Sequence, residues 1–153
     1  MTKTDAISPL DAHLGYWLRW VSNHVSHAFK LKVEAHGVTV AEWVVLRQLL
    51  DSGECHPSQL AESLGMTRGA ISKLVDRLSA KGHVMRTAAE DDKRYQTVKL
   101  ALSGRKLVPL LAALADQNDA EFFAHLSTSE ISTLISTLRD IVHRRQLKGA
   151  PVD

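Results

Sequence analysis

Thr67, Arg68, Gly69, Ser72, Lys73, Asp76 and Arg77 fall on the outward side of a short helical pattern whose inward side is Ile71, Leu74, Val75 and Leu78. Hydroxyls, small residues and cations in this arrangement hold no covalent chemistry. They suit hydrogen bonding to a polyanion, where cations and hydroxyls bond phosphate oxygens and longer side chains reach base edges in a DNA major groove. Downstream, Lys93 and Arg94 sit in a polar segment and add two flexible cations of the kind a narrow minor groove attracts. No Gly-rich phosphate loop, nucleophile elbow or pair of catalytic carboxylates accompanies them, and an enzyme is not expected. Taken alone, the helical pattern equally describes an ordinary helical hairpin with a solvated basic face.

The charge distribution favours the first reading. Net charge is only +2, yet residues 56–106 hold ten Lys or Arg against five acids, while the remainder holds nine against twelve. A basic centre between acidic arms fits a polyanion-binding unit flanked by segments with other work. With 44% hydrophobic residues the chain can build a core, and its 153 residues fit one compact domain or a small domain carrying extra helices. Apolar runs fall far short of the ~20 residues of a membrane span, and the N-terminus lacks the order of a secretory signal. A single cysteine, Cys55, cannot form an internal disulfide. No membrane partner and a cytoplasmic location are the expectations.

The elements that must position these residues are clearly punctuated. Ser8-Pro9-Leu10-Asp11 predicts an N-cap, a proline at the first helical position and an acid in the first turn. Leu10, Leu14, Trp17, Leu18, Val21, Val25, Ala28 and Phe29 then recur at helical spacing until Gly37, giving a long amphipathic first helix. Thr39 and Glu42 form a capping box for a second, which carries Trp43, Leu46, Leu49 and Leu50 to Gly53. His56-Pro57 opens a third with Leu60, Ala61 and Leu64, closed by Gly65; Thr67 caps a fourth that ends at Gly82. Residues 84–87 and 95–101 are rich in strand formers and flank a polar tip at 88–94, which predicts a hairpin. Leu107, Leu110, Leu111, Leu114 and Ala115 line a fifth helix reaching about His125. Ser127 and Glu130 form another capping box, with Leu126 and Ile131 placed as a hydrophobic staple. The sixth helix carries Ile131, Leu134, Ile135, Leu138, Ile141 and Val142.

Residues 59–78 meet the physical needs of a helix-turn-helix. Ala61 is small where the helices cross, Gly65 can take the left-handed conformation of the turn, and Leu60, Leu64, Ile71 and Leu74 wedge the pair together. The hairpin directly after it supplies a wing. The expected fold is mainly α, a winged helix-turn-helix of six helices and a two-stranded β wing. The DNA-binding domain is expected at 38–102, with 1–37 and 103–153 forming a helical dimerisation region, because the apolar stripes of the terminal helices exceed what a lone winged helix could cover.

Three segments carry a family resemblance: Pro57-Ser58-Gln59-Leu60-Ala61, Met66-Thr67-Arg68-Gly69-Ala70-Ile71-Ser72-Lys73-Leu74-Val75-Asp76-Arg77-Leu78, and Asp92-Lys93-Arg94. They resemble the MarR family, the multiple-antibiotic-resistance type of bacterial regulator, and the likeness extends over nearly the whole chain. The resemblance implies a sequence-specific regulator that binds double-stranded DNA as a homodimer on a pseudo-palindromic operator. It further implies repression that a small aromatic or phenolic effector relieves. It adds Pro57, Ser58 and Gln59 to the DNA-contacting set of Thr67, Arg68, Gly69, Ser72, Lys73 and Arg77. In the wing it implies that Arg94 enters the minor groove, beside Lys93, while Asp92 orients it. Two departures stand out. Leu100-Ala101-Leu102-Ser103-Gly104 occupies the place where many members have Leu-Thr-x-x-Gly, so Ser103 is expected to take over capping and shift the start of the fifth helix. Val44 follows Trp43 where urate-responsive relatives carry an aspartate, which argues against that ligand.

Tyr16, Trp17, Trp20, His24, Trp43 and Arg47 make the first two helices the most aromatic part of the chain. Core and dimer packing explains Trp17 best. Trp20, His24 and Arg47 are the residues expected to line a ligand pocket, an apolar wall with one cation suited to an aromatic acid. Eight histidines raise metal sensing, but beyond His24 and His27, three apart, no pair has ligand spacing, and neither a metal nor a cofactor is expected. Cys55, beside His56, is expected to be a non-sensing cysteine. The competing readings are a metal- or redox-responsive regulator and a non-specific architectural protein that binds all duplexes alike with a steep salt dependence.

Overall fold

Side-chain caps decide where three of the six helices begin. In the computed structural model, which describes residues 7–89, 92–149 and 152 and leaves the side chains of 89 and 92–95 outside the description, a 3-10 turn (Leu10–Ala12) leads into α1 (Leu14–Glu34). Then come α2 (Val40–Ser52), α3 (Pro57–Leu64), α4 (Arg68–Ala80), β1 (Val84–Ala89), β2 (Asp92–Leu100), α5 (Leu102–Phe123) and α6 (Thr128–Arg144). The expected six helices and two-stranded antiparallel sheet are all present.

The Thr39 hydroxyl accepts from the Glu42 N–H at 3.1 Å, and Glu42 Oε1 accepts from the Thr39 N–H at 3.2 Å. Ser127 and Glu130 repeat this box at the head of α6, at 3.1 and 3.0 Å. Thr67 accepts from the Ala70 N–H at 3.1 Å and starts α4. At α3 a proline fills the first position, where a missing N–H costs nothing, and the His56 N–H donates to Gln59 Oε1 at 2.8 Å. Gly65 ends α3 in the left-handed conformation, φ 63° and ψ 29°, so the chain can reverse into α4.

The core joins helices α1 to α5 and the hairpin. Val45, Leu46 and Leu49 of α2, Leu60 and Ala61 of α3, and Ile71, Leu74, Val75 and Leu78 of α4 are buried against Val84, Val98 and Leu100 of the hairpin, with Val33 from α1 and Val108 and Leu111 from α5. Truncating one such residue costs about 2–5 kcal/mol, against about 1 kcal/mol for a cap, so packing fixes how the helices lie and caps only where they start. Leu50, carried by the same predicted helix, points outward at 48% exposure, and Val45 takes the core place instead.

Three boundaries differ from expectation. Ser8 caps nothing, because the chain first makes a 3-10 turn whose N-cap is Pro9 and enters α1 only behind His13, neither start having a side-chain cap. The wing strands are longer than predicted. Pairing runs from Val84↔Leu100 to Thr87↔Thr97 and, after an irregularity, resumes at Ala89↔Asp92, because backbone pairing does not require strand-forming side chains. The backbone of Lys93 and Arg94 therefore belongs to β2. Ser103 does not cap α5. That helix starts behind Ala101 with no side-chain cap; the Ala101 N–H donates to the His83 carbonyl at 2.9 Å, and the Ser103 hydroxyl is engaged by His83 Nδ1. Gly104 backs onto the same carbonyl so closely that any Cβ there would collide with it.

Helices α1 and α5 pack on each other and on α2. Asn118 is buried between them; it donates to the Val25 carbonyl at 3.1 Å and accepts from Lys32 at 2.9 Å. In contrast, α6 has no buried residue.

Candidate nucleic-acid interface

The four apolar residues of α4 point into the core, which turns its remaining side chains outward. Thr67, Arg68, Gly69, Ser72, Lys73, Asp76 and Arg77 are all exposed, as the spacing predicted. At the head of α3, Ser58 and Gln59 are exposed and Pro57 is half-buried. No ion pair holds Arg68, Lys73 or Arg77 among the described residues, so these cations are free to meet an anion. The amino end of α4, where Arg68 lies, also carries the positive end of the helix dipole.

Asp76 is the one acid on this face, and Arg86 of β1 forms an ion pair with it. The contact ties α4 to the wing and offsets a charge that would otherwise repel phosphates. Sequence reasoning missed this pairing. Its only local signal was an acid within a basic face, and Arg86 reaches it only once the turn after α4 is built. Thr97 of β2 donates to Glu54 at 2.6 Å, which joins the α2–α3 connection to the wing and holds the Glu54 carboxyl below the usual carboxylate range. The wing residues Asp92, Lys93 and Arg94 lie on a described strand, but their side chains lie outside the described residues, as do tip residues 90 and 91.

The expected ligand trio is divided. Trp20 and His24 share a groove of about 450 Å³ with Val21, Phe122, Phe123 and His125. Arg47 does not line it and instead pairs with Asp51, one turn along α2, at 2.7 Å. A smaller hollow of about 290 Å³ opens between α1, α2 and α5, where Phe29 and Trp43 meet edge to face above Asn118 and Asp119. Cys55 is buried, and its backbone bridges Val98 through bonds of 3.1 and 2.8 Å, so it packs as a small apolar residue. Among the described residues no group of three or more His, Cys, Asp or Glu is arranged to hold a metal ion, and no helix is long and apolar enough to cross a membrane.

A helix-turn-helix with an exposed basic second helix, followed at once by an antiparallel hairpin and framed by long terminal helices, defines a winged helix-turn-helix DNA-binding protein. Comparison with known proteins agrees. The MarR family model matches residues 36–94. The chain is 29% identical over 106 residues to the multiple antibiotic resistance protein MarR of Escherichia coli (strain K12), covering 69% of this chain and 74% of that one. It also resembles the solved structure of a probable transcriptional regulator from Pseudomonas aeruginosa, with TM-score 0.75 and 29% identity over 87% of this chain and 99% of that one. A mutant MarR from E. coli complexed with operator DNA matches with TM-score 0.74 and 25% identity, over 84% and 93% of the two chains. Over its helix-turn-helix and wing the chain is similar to the MarR family, and it is a DNA-binding transcription regulator.

Proposed function

We propose that this regulator acts as a homodimer on a pseudo-palindromic operator and represses transcription until a small aromatic or phenolic effector releases it. The observation that carries the dimer is α6. Leu134, Ile135, Leu138, Ile141 and Val142 form an apolar stripe on that helix, and each remains 39–51% exposed in the single chain. Leu14, Trp17, Leu18 and Val21 extend a similar surface along α1. An amphipathic helix with nothing on its apolar face calls for a cover, and a second copy offers the same stripe. Residues 1–37 and 103–153 then form the dimerisation region, and 38–102 bind DNA. Arg68, Ser72 and Lys73 read bases. Thr67, Gly69 and Arg77 of the α4 face, with Ser58 and Gln59 of α3, fix the helix on phosphates, Pro57 packs against the DNA backbone beside them, and Asp92, Lys93 and Arg94 serve the minor groove.

An effector site is supported by the aromatic walls of the groove at Trp20, where His24 and His125 supply the polar groups that Arg47 does not. Sedimentation at micromolar concentration tests the assembly. A dimer is expected, and a stable monomer would remove both the dimer and the two-fold operator.

A further inference from the structure

Glu42 is the one charged side chain buried among the described residues, 1% exposed in the first turn of α2. Its capping task needs only an acceptor for the Thr39 N–H, which a glutamine carbonyl would provide equally well. The charge is matched by Lys81, distant in sequence, whose ammonium lies 2.9 Å from Oε1 and 2.8 Å from Oε2. That ammonium also donates to the Gly37 carbonyl at 2.9 Å, so it makes two hydrogen bonds, while Oε2 is held by charge alone and has no hydrogen-bond partner among the described residues. Gly37 follows the last turn of α1, Glu42 opens α2, and Lys81 is the C-cap of α4, its own N–H bonded to the Arg77 carbonyl. One cation therefore joins the end of a dimer-side helix, the start of its neighbour and the end of the helix that meets DNA.

Desolvating a carboxylate offsets most of what the attraction returns, so such a pair adds little to folding but fails if either partner moves. We infer that Glu42–Lys81 is a positioning contact that sets the angle of α4 against α1, and so the orientation in which the two α4 helices of a dimer reach the duplex. Neither residue meets the DNA: Glu42 is buried, and Lys81 lies at the opposite end of α4 from Arg68. The inference rests on the proposed dimeric mode of DNA reading.

The test compares a duplex recovered by selection from the protein's own genome with a shuffled duplex of equal length at fixed salt. Glu42→Gln keeps the cap; it should weaken binding to the selected duplex about tenfold and leave binding to the shuffled one unchanged. The double variant Glu42→Gln/Lys81→Met leaves no unpaired buried charge, and it should keep a Tm near wild type without regaining selectivity. A pair that served stability alone would give wild-type selectivity in that double variant, and this result would overturn the inference. Wild-type selectivity in folded Glu42→Gln, or equal weakening on both duplexes in a folded dimer, would overturn it too. If the wild-type protein failed to tell the two duplexes apart, the mode of DNA reading would fall, and the inference with it.

Discussion

Arg68 and Lys73 stand exposed on the first turns of α4, with no carboxylate among the described residues to hold them. Replacing either with alanine should weaken operator binding, and whichever contacts a base should relax specificity at one position per half-site by about 1–3 kcal/mol. Ser72→Ala should act likewise but more weakly. Gel shifts with base-substituted operators read this out, and normal binding by all three folded variants would reject α4 as the reading helix. The wing separates two physical accounts. As a surface ion pair, Asp92 and Arg94 would contribute at most about 1 kcal/mol to folding. As an oriented minor-groove cation, Arg94 should be nearly silent in stability, so Arg94→Ala should leave Tm in place while weakening binding strongly. Asp92→Ala should weaken binding as well, although it makes the protein more positive. Simple charge attraction predicts tighter binding for Asp92→Ala, and titration of labelled operator at fixed salt decides between them.

At the scale of elements, the capping box of α6 has a pH signature. The Ser127 backbone N–H and then its hydroxyl hold the Glu130 carboxyl below the usual carboxylate range. Lys32 does the same for Glu121, and the Thr97 hydroxyl for Glu54. Each folded-state value lies below the unfolded one. The stability these groups contribute is thus fully present above the ordinary carboxylate range and is lost as pH falls through the lowered values. Glu130→Gln should therefore lose Tm less steeply than wild type on acidification in thermal melts, and parallel slopes would contradict this. The same boxes explain what the sequence made legible. Thr39 with Glu42, Ser127 with Glu130, and Gly65 act within a few residues, so their meaning survives without a tertiary structure. The start of α5 depends on the distant His83 carbonyl, and the length of the wing on backbone pairing that no side chain announces. Arg47 does not line the groove at Trp20 and pairs instead with Asp51, one turn on along α2.

At the scale of the whole molecule, helical period separated the buried from the exposed face of α4, and with it most of the candidate interface. The cross-ties between elements were hidden, because Asp76–Arg86 and Glu42–Lys81 join residues whose proximity exists only in the folded chain. What the single chain leaves uncovered, the stripe of α6 and the aromatic surface of α1, is what the proposed dimer would cover as it carries two α4 helices to one duplex. Hydroxyl-radical footprinting of the protein on its selected operator tests that claim most directly. Two protected patches on one face of the duplex are predicted, related by a two-fold axis, with centres about one helical turn (~10–10.5 bp) or a multiple of it apart. A single patch, or protection spread evenly over any duplex offered, would contradict it.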